Sequence, residues 1–192
     1  MSDTSRFLTA LFRAIGQAFR SSGSASTTGG RAAGGRTAGD AQGRTVLVDE
    51  RVSPGREGSG VTVEVDPRSL GRVALGYAPS HDGAPDPGEV VWTWVPYEEN
   101  DGRGKDRPVV IVAADGAARF LAVQLTSKPH GGDRDYVALG SGAWDGEGRP
   151  SWAKLDRVFV VHAGGMRREA ASLDAERYES VARALRARYG WR

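Results

Sequence analysis

The chain has 192 residues, 39% hydrophobic and 26% charged, with 27 Gly and 26 Lys plus Arg against 24 Asp plus Glu, a formal charge of +2. That length suits one domain with appendages and excludes a large multidomain enzyme, while the near balance of charge excludes a strongly basic body that coats nucleic acid. Cys is absent, which removes disulfides, thiol nucleophiles and thiolate metal sites and is compatible with a reducing, cytoplasmic setting. His81, His130 and His162 lie too far apart for a paired-ligand motif such as HExxH.

Residues 5–20, SRFLTALFRAIGQAFR, place Phe7, Leu8, Leu11, Phe12, Ile15 and Phe19 at helical spacing. The pattern predicts an amphipathic helix over 1–20. Arg13 breaks its apolar run well short of the ~20 residues a bilayer span needs. Packing against a partner is the expected use of this helix, and weak, reversible contact with a membrane surface is the alternative. Residues 21–44 carry seven Gly and no large apolar side chain, and read as a flexible linker. Net charge runs +4 over 1–44, −3 over 45–87 and +1 over 88–192.

Within 45–87, TVLVDE and VTVEVDP alternate with period two, placing Val61, Val63 and Val65 on one face and Thr62 and Glu64 on the other. With the turn-rich SPGREGSG (53–60) between them they predict a hairpin in a β-rich extension, which must pack on something to be stable. The Pro- and acid-rich stretch 78–89 marks the expected main domain boundary.

From Gly88 onward come GEVVWTWV, RPVVIVA, ARFLAVQLT, RDYVALG and LDRVFVV, five short runs rich in Val, Phe, Trp and Tyr and separated by Gly, Asp and Pro. The final segment, SLDAERYESVARALRARYGW, switches to helical period, with Leu173, Tyr178, Val181, Ala182, Leu185 and Tyr189 toward one side and Ser172 as the expected N-cap. The fold class expected is mainly β (α+β), a small antiparallel barrel over 88–192 closed by a C-terminal helix.

Two Gly-rich stretches fail as phosphate loops. In GRGKDRPVVIV (102–112) Lys105 is followed by Asp106 and leads through Pro108 into a strand, and GREGSG lacks both the Lys and the helix. What remains is Arg107, fixed between a Gly-rich loop and Pro108 at the mouth of a strand. Its planar fork of donors suits the two oxygens of a phosphate, and a surface salt bridge to Asp106 or Glu98 is the competing reading. Thr126, Ser127 and Lys128 end another strand, where hydroxyls and an ammonium suit a phosphodiester, although a plain loop start explains them as well. Lys154 and Asp156 stand two apart on a strand and so share a face, as a proton path or as a simple ion pair. Trp92 and Trp94 fit a core, whereas Trp144, in SGAWDGEG, is the better candidate for stacking a base.

Taken in order, GEVVW at Gly88 to Trp92, the Arg107-Pro108 pair before VVIV, Thr126-Ser127 at a strand end, and Lys154 with Asp156-Arg157 resemble the PemK/MazF family of toxin ribonucleases. The resemblance covers residues 88–192. It implies an SH3-like, CcdB-like barrel that forms a homodimer, is neutralised by an antitoxin protein, and cleaves single-stranded RNA with no metal or other cofactor. By the same likeness Arg107 stabilises the scissile phosphate, Thr126 and Ser127 hold phosphate or ribose, and Lys154 with Asp156 completes the site. The nucleophile implied is the substrate's own 2′-hydroxyl, giving a 2′,3′-cyclic phosphate and a 5′-hydroxyl end. Where some relatives carry His or Glu before the R-P pair, this chain has Asn100, Asp101, Gly102 and Arg103, so Asp101 is the nearest substitute. Lys154 stands where one branch has Arg. His130 is then a candidate general base, since imidazole titrates near neutrality, against the ordinary reading of an exposed loop His. The rival from another class is a non-catalytic barrel that binds a protein partner, with residues 1–87 adding docking surface.

Overall fold

All five apolar runs become strands, because Val, Ile, Phe and Trp fit a pleated surface. The computed structural model describes residues 53–80 and 84–192. They hold β1 (Val63–Val65), β2 (Glu89–Pro96), β3 (Gly104–Ala114), β4 (Arg119–Thr126), β5 (Tyr136–Gly140), β6 (Ser151–His162), β7 (Arg167–Ser172) and one helix, α1 (Ala175–Tyr189). The expected helix over 1–20, the linker, the strand at 45–50 and His81 lie outside the described residues. The sheet runs β1-β6-β4-β3-β2-β7, with β5 beside the first half of β6. Every pairing is antiparallel, so the mainly β class with a terminal helix is the one observed.

The sheet is buried on both faces, which is why its strands read as continuous apolar runs rather than clean alternation. Val90, Val110, Val123, Leu125, Leu155 and Val158 meet Tyr178, Val181 and Leu185 of α1 on one face, while Val91, Val109, Ile111, Ala122, Phe159 and Val161 form a separate apolar layer on the other. Strand β7 escaped the sequence reading because RREAAS has only Ala171 to bury; it pairs at the edge of β2. The N-cap is also two residues later than expected. Ser172 still pairs with Glu89 as the last residue of β7, and the Asp174 carboxylate accepts the Arg177 N–H at 2.8 Å.

The described residues on both sides of 81–83 belong to one compact unit, in which β1 pairs with β6. Leu75 N–H donates to the Arg192 carbonyl, Arg192 N–H donates to that of Val73, and Tyr77 O–H donates to that of Leu173. Upstream, the Thr62 and Thr93 hydroxyls lie 2.6 Å apart against Gly55. Gly55 has φ +80°, and a Cβ there would run into both hydroxyls, so the close approach of this turn to β2 demands glycine.

Tyr178 ties α1 to the sheet through its O–H, which donates to the Val112 carbonyl at 2.7 Å. Tyr178→Phe leaves that buried carbonyl short of a partner and should cost about 1–3 kcal/mol in urea unfolding. Burial also pushes the Tyr178 phenol up from 10.0 to about 12. A raised folded value means that the folded state holds the proton more tightly, so this contribution is complete below about pH 10 and fades as pH rises toward about 12. The variant should therefore show a smaller loss of stability across that alkaline window than the parent chain.

Candidate functional site

The site begins with a break in register. Val123 pairs with Val158 but Leu125 pairs with Ala153, so Gln124 alone stands opposite the whole stretch from Lys154 to Arg157. Leu155 and Val158 both point into the helix-side core, and the residues between them are thrown onto the other face. Lys154 Nζ and Asp156 Oδ2 come within 3.5 Å there, and the Arg157 guanidinium lies 5.0 Å from the ring of Phe159 in the second apolar layer. Arg107 is opposite Thr93 on β2, and Val109 is opposite Gln124 on β4. Strand alternation then puts Thr93, Arg107, Gln124 and Thr126 on the same face as Lys154, Asp156 and Arg157.

A groove of about 400 Å³ opens on this face, lined among others by Tyr97, Glu98, Arg103, Arg107, Gln124 and Arg157. Arg107 has no carboxylate partner among the described residues: Asp106 pairs instead with Arg167 at 3.0 Å and Glu98 with Lys154. Both carboxylates that competed for it in the sequence are thus committed elsewhere. Arg157 is held at 2.9 and 2.5 Å by the two carboxylate oxygens of Glu64 and donates to the Pro96 carbonyl at 2.9 Å. Arg103 pairs with Asp101 at 2.6 Å. Gln124 is 8% exposed, and its Oε1 has no hydrogen-bond donor. An unpaired buried acceptor costs about 1–3 kcal/mol.

Lys154 is 9% exposed and donates to Glu98. Burial alone would lower its pKa, but the hydrogen bond to Glu98 and the nearby Asp156 outweigh burial and hold it above the ordinary lysine value. The Glu98 carboxyl is lowered chiefly by the same hydrogen bond. Both directions agree: Lys154 stays an ammonium, a source of positive charge and not a base. A larger cavity of about 570 Å³ lies beside Pro96, between the extension and α1. Glu64, Asp66 and Asp156 there face Arg68 and Arg188, so it offers an anion no clear surplus of positive charge.

The remaining expected residues fall around the groove rather than in it. Thr126 ends β4, and its Oγ1 accepts the Lys128 N–H at 3.2 Å, while Ser127 and Lys128 are exposed beyond it. The His130 ring stacks on Tyr136, centroids 3.6 Å apart, and Tyr136 is opposite Lys154. Asp101 sits in the exposed turn before β3. Trp144 corrects its expectation: at 3% exposure, with its Nε1 donating to Ser151 Oγ and its ring part of the helix-side core, it has no face free to stack a base. Trp94 is buried as expected, and Trp92 is half-buried beneath Arg167.

The sequence reading missed Gln124 as a site residue, although an amide on the face shared with Phe120 and Ala122 of a buried strand was a readable anomaly. Arg157 was read only as part of a motif, because the register break that turns it toward Arg107 leaves no mark in the alternation. Among the described residues no group of three His, Cys, Asp or Glu could hold a metal ion, and no helix is long and apolar enough to cross a membrane.

Solved structures with a similar fold include the Mycobacterium tuberculosis toxin MazF-mt6, 15% identical over 54% of this chain and 98% of its own, with a TM-score of 0.41. MazF from Deinococcus radiodurans is 19% identical over 55% and 96%, with a TM-score of 0.44. A MazE-MazF structure from the same organism gives 18%, 56% and 98%, with 0.42. No curated protein sequence matches. The family model described as PemK-like, MazF-like toxin of type II toxin-antitoxin system matches residues 86–188. That match spans more than half of the sequence and contains every strand that lines the groove, and on it the chain belongs to the PemK/MazF-like toxins of type II toxin-antitoxin systems.

Proposed function

We propose that this toxin is an endoribonuclease that cleaves single-stranded RNA in the groove between β3, β4 and β6. The observation that carries the reading is Arg107, a half-buried guanidinium with no carboxylate partner, beside a second guanidinium, Arg157, and near the permanently charged Lys154. Cations gathered on one wall suit a phosphodiester whose charge grows as a fifth oxygen bonds to phosphorus. The substrate's 2′-oxygen attacks that phosphorus as its proton passes to solvent, the bond to the 5′-oxygen breaks as that oxygen takes up a proton from solvent, and the products are a 2′,3′-cyclic phosphate and a 5′-hydroxyl. This route asks the protein for position and positive charge, which Arg107 and Lys154 would supply, with Asp156 helping to orient the Lys154 ammonium, while the Thr126 and Ser127 hydroxyls bind the flanking sugar-phosphate.

Family membership supports an antitoxin protein as the neutralising partner. In our reading the toxin acts as a cytoplasmic homodimer, and the antitoxin covers the groove with carboxylates, a contact that Glu64 already makes with Arg157 inside the chain.

Arg107→Ala should lower the cleavage rate on a mixed RNA pool by about 10²- to 10³-fold with an unchanged melting temperature, and the parent chain's cut ends should carry cyclic phosphate and 5′-hydroxyl groups. Cleavage retained in the variant removes the mechanism; no cleavage by the parent chain across salt and pH leaves a protein-binding barrel. Glu98→Gln frees the Lys154 ammonium and removes a negative charge from the rim, so its affinity for single-stranded RNA at neutral pH should rise several-fold in low salt, and the gain should shrink as salt screens it.

A further inference from the structure

Trp144 is buried in the helix-side core, so a single strand on the face of Arg107 and Lys154 must find another ring for its bases. One pair of rings near that face has no part in the cleavage reading. Tyr136 stands on β5 directly opposite Lys154, and residues paired across antiparallel strands point to the same side of a sheet. Its neighbour Val137 is opposite Ala153 and packs on the helix-side core, so Tyr136 turns the other way, toward the face of the groove. The phenol lies within electrostatic reach of Lys154 and Asp156, and burial holds it above the ordinary tyrosine value, so at neutral pH it is an uncharged ring.

The His130 imidazole lies flat on this phenol, with centroids 3.6 Å and planes 4° apart. Both rings are partly exposed, Tyr136 belongs to neither apolar core, and Ser127 to Pro129 and Gly131 to Arg134 on either side of His130 are exposed. Among the described residues neither side chain forms a hydrogen bond, and no other ring or cation lies over either one. Tyr136 is fixed by strand pairing and in turn orients His130, so a ring carried by a Gly-rich loop is already ordered before anything meets it. From Arg107 on β3 the sheet passes through β4 and β6 to β5, three strand spacings or about 14 Å. The stack therefore lies beyond the phosphate that Arg107 holds, on the far side of Lys154, where a flanking nucleotide passes. Unstacked bases of single-stranded RNA settle on aromatic faces of this kind.

We propose that the stacked His130 and Tyr136 rings form a platform for the base of a nucleotide flanking the phosphate held by Arg107. The inference rests on the reading of the groove as a site for single-stranded RNA. Every base has a π-face, so the platform adds affinity and fixes the path of the strand with little selection among bases. Tyr136 is the anchor and His130 the outer surface, and loss of either ring appears as lost affinity for a strand that carries bases.

The test uses the full chain and two single-stranded RNAs in which methylene replaces the bridging 5′-oxygens, so that no leaving group exists. One strand carries uracil throughout, and in the other a hydrogen replaces every base. Fluorescence anisotropy at neutral pH should show the parent chain binding the uracil strand more tightly. His130→Ala should weaken the uracil strand about fivefold or more while holding the abasic affinity within about twofold, because the phosphate contacts are intact. Tyr136→Leu should show the same selective loss, and His130→Phe, which restores a ring without the imidazole's charge, should recover the preference. Equal affinity of the parent chain for the two strands, or none for either, overturns the proposal, as does a uracil preference unchanged in His130→Ala or Tyr136→Leu. An equal loss on both strands makes the stack a prop for its loop and overturns it too, and so does His130→Phe behaving like the alanine variant. Arg107→Ala, scored alongside, should weaken both strands alike. If it weakens neither while His130→Ala still acts on the uracil strand alone, the reading of the Arg107 groove fails and the stacking site stands. Cleavage of ordinary RNA is measured separately, so base-dependent binding without cutting refutes the nuclease alone.

Discussion

The arrangement of the groove depends on the register break between β4 and β6. A regular antiparallel ladder would continue the alternation of Val158 and Val160 back along β6, turning Lys154 and Asp156 toward the helix-side core, where two charges could not be accommodated. The break from Val158 to Ala153 lets Leu155 remain in the core while Lys154, Asp156 and Arg157 turn to the opposite face. A bulge of this kind re-aims side chains at the cost of local pairing. Here the unpaired stretch lies opposite Gln124, and so one irregularity accounts for the clustering of charge and for the buried amide that meets no donor.

Charge on this face is mostly balanced within the chain, and the exception is informative. Glu64 neutralises Arg157, Asp101 neutralises Arg103, and Glu98 neutralises Lys154. Arg107 has no such partner among the described residues: its neighbour Asp106 alternates to the other face of β3 and pairs with Arg167. The formal charge of +2 therefore hides a local imbalance at the mouth of β3, where the half-buried Arg107 is held opposite Thr93 of β2. On the proposed reading such a groove would attract phosphate through position more than through total charge, with binding that weakens with salt.

Much of the architecture was legible because burial on both faces of a sheet writes itself into sequence as Val-rich runs, and because Leu, Val and Tyr at helical spacing announce α1. Arg107 was legible from Pro108 and the Gly-rich loop beside it, and Lys154 with Asp156 from their spacing. The role of residues 53–75 was not. Their apolar content is sparse, and nothing local says that β1 will extend the sheet beside β6 or that Val73 and Leu75 will meet the backbone of Arg192. Trp144 misled because a Gly-rich context suggests an exposed loop, whereas its indole turns inward to the core beside Ser151. Arg157 and Gln124 depended on a register that exists only once β4 and β6 have paired.

The central claim is that the face carrying Arg107 and Arg157 receives RNA. It is tested most directly by labelling arginine with ¹⁵N and following the side-chain Nε–Hε resonances as a single-stranded RNA with methylene-bridged, uncleavable linkages is added. The account predicts that the signals of Arg107, Arg157 and Arg103 move together and saturate at one concentration, while those of Arg177 and Arg186 on α1 stay in place. Saturable shifts on the helix with Arg107 unmoved would contradict it.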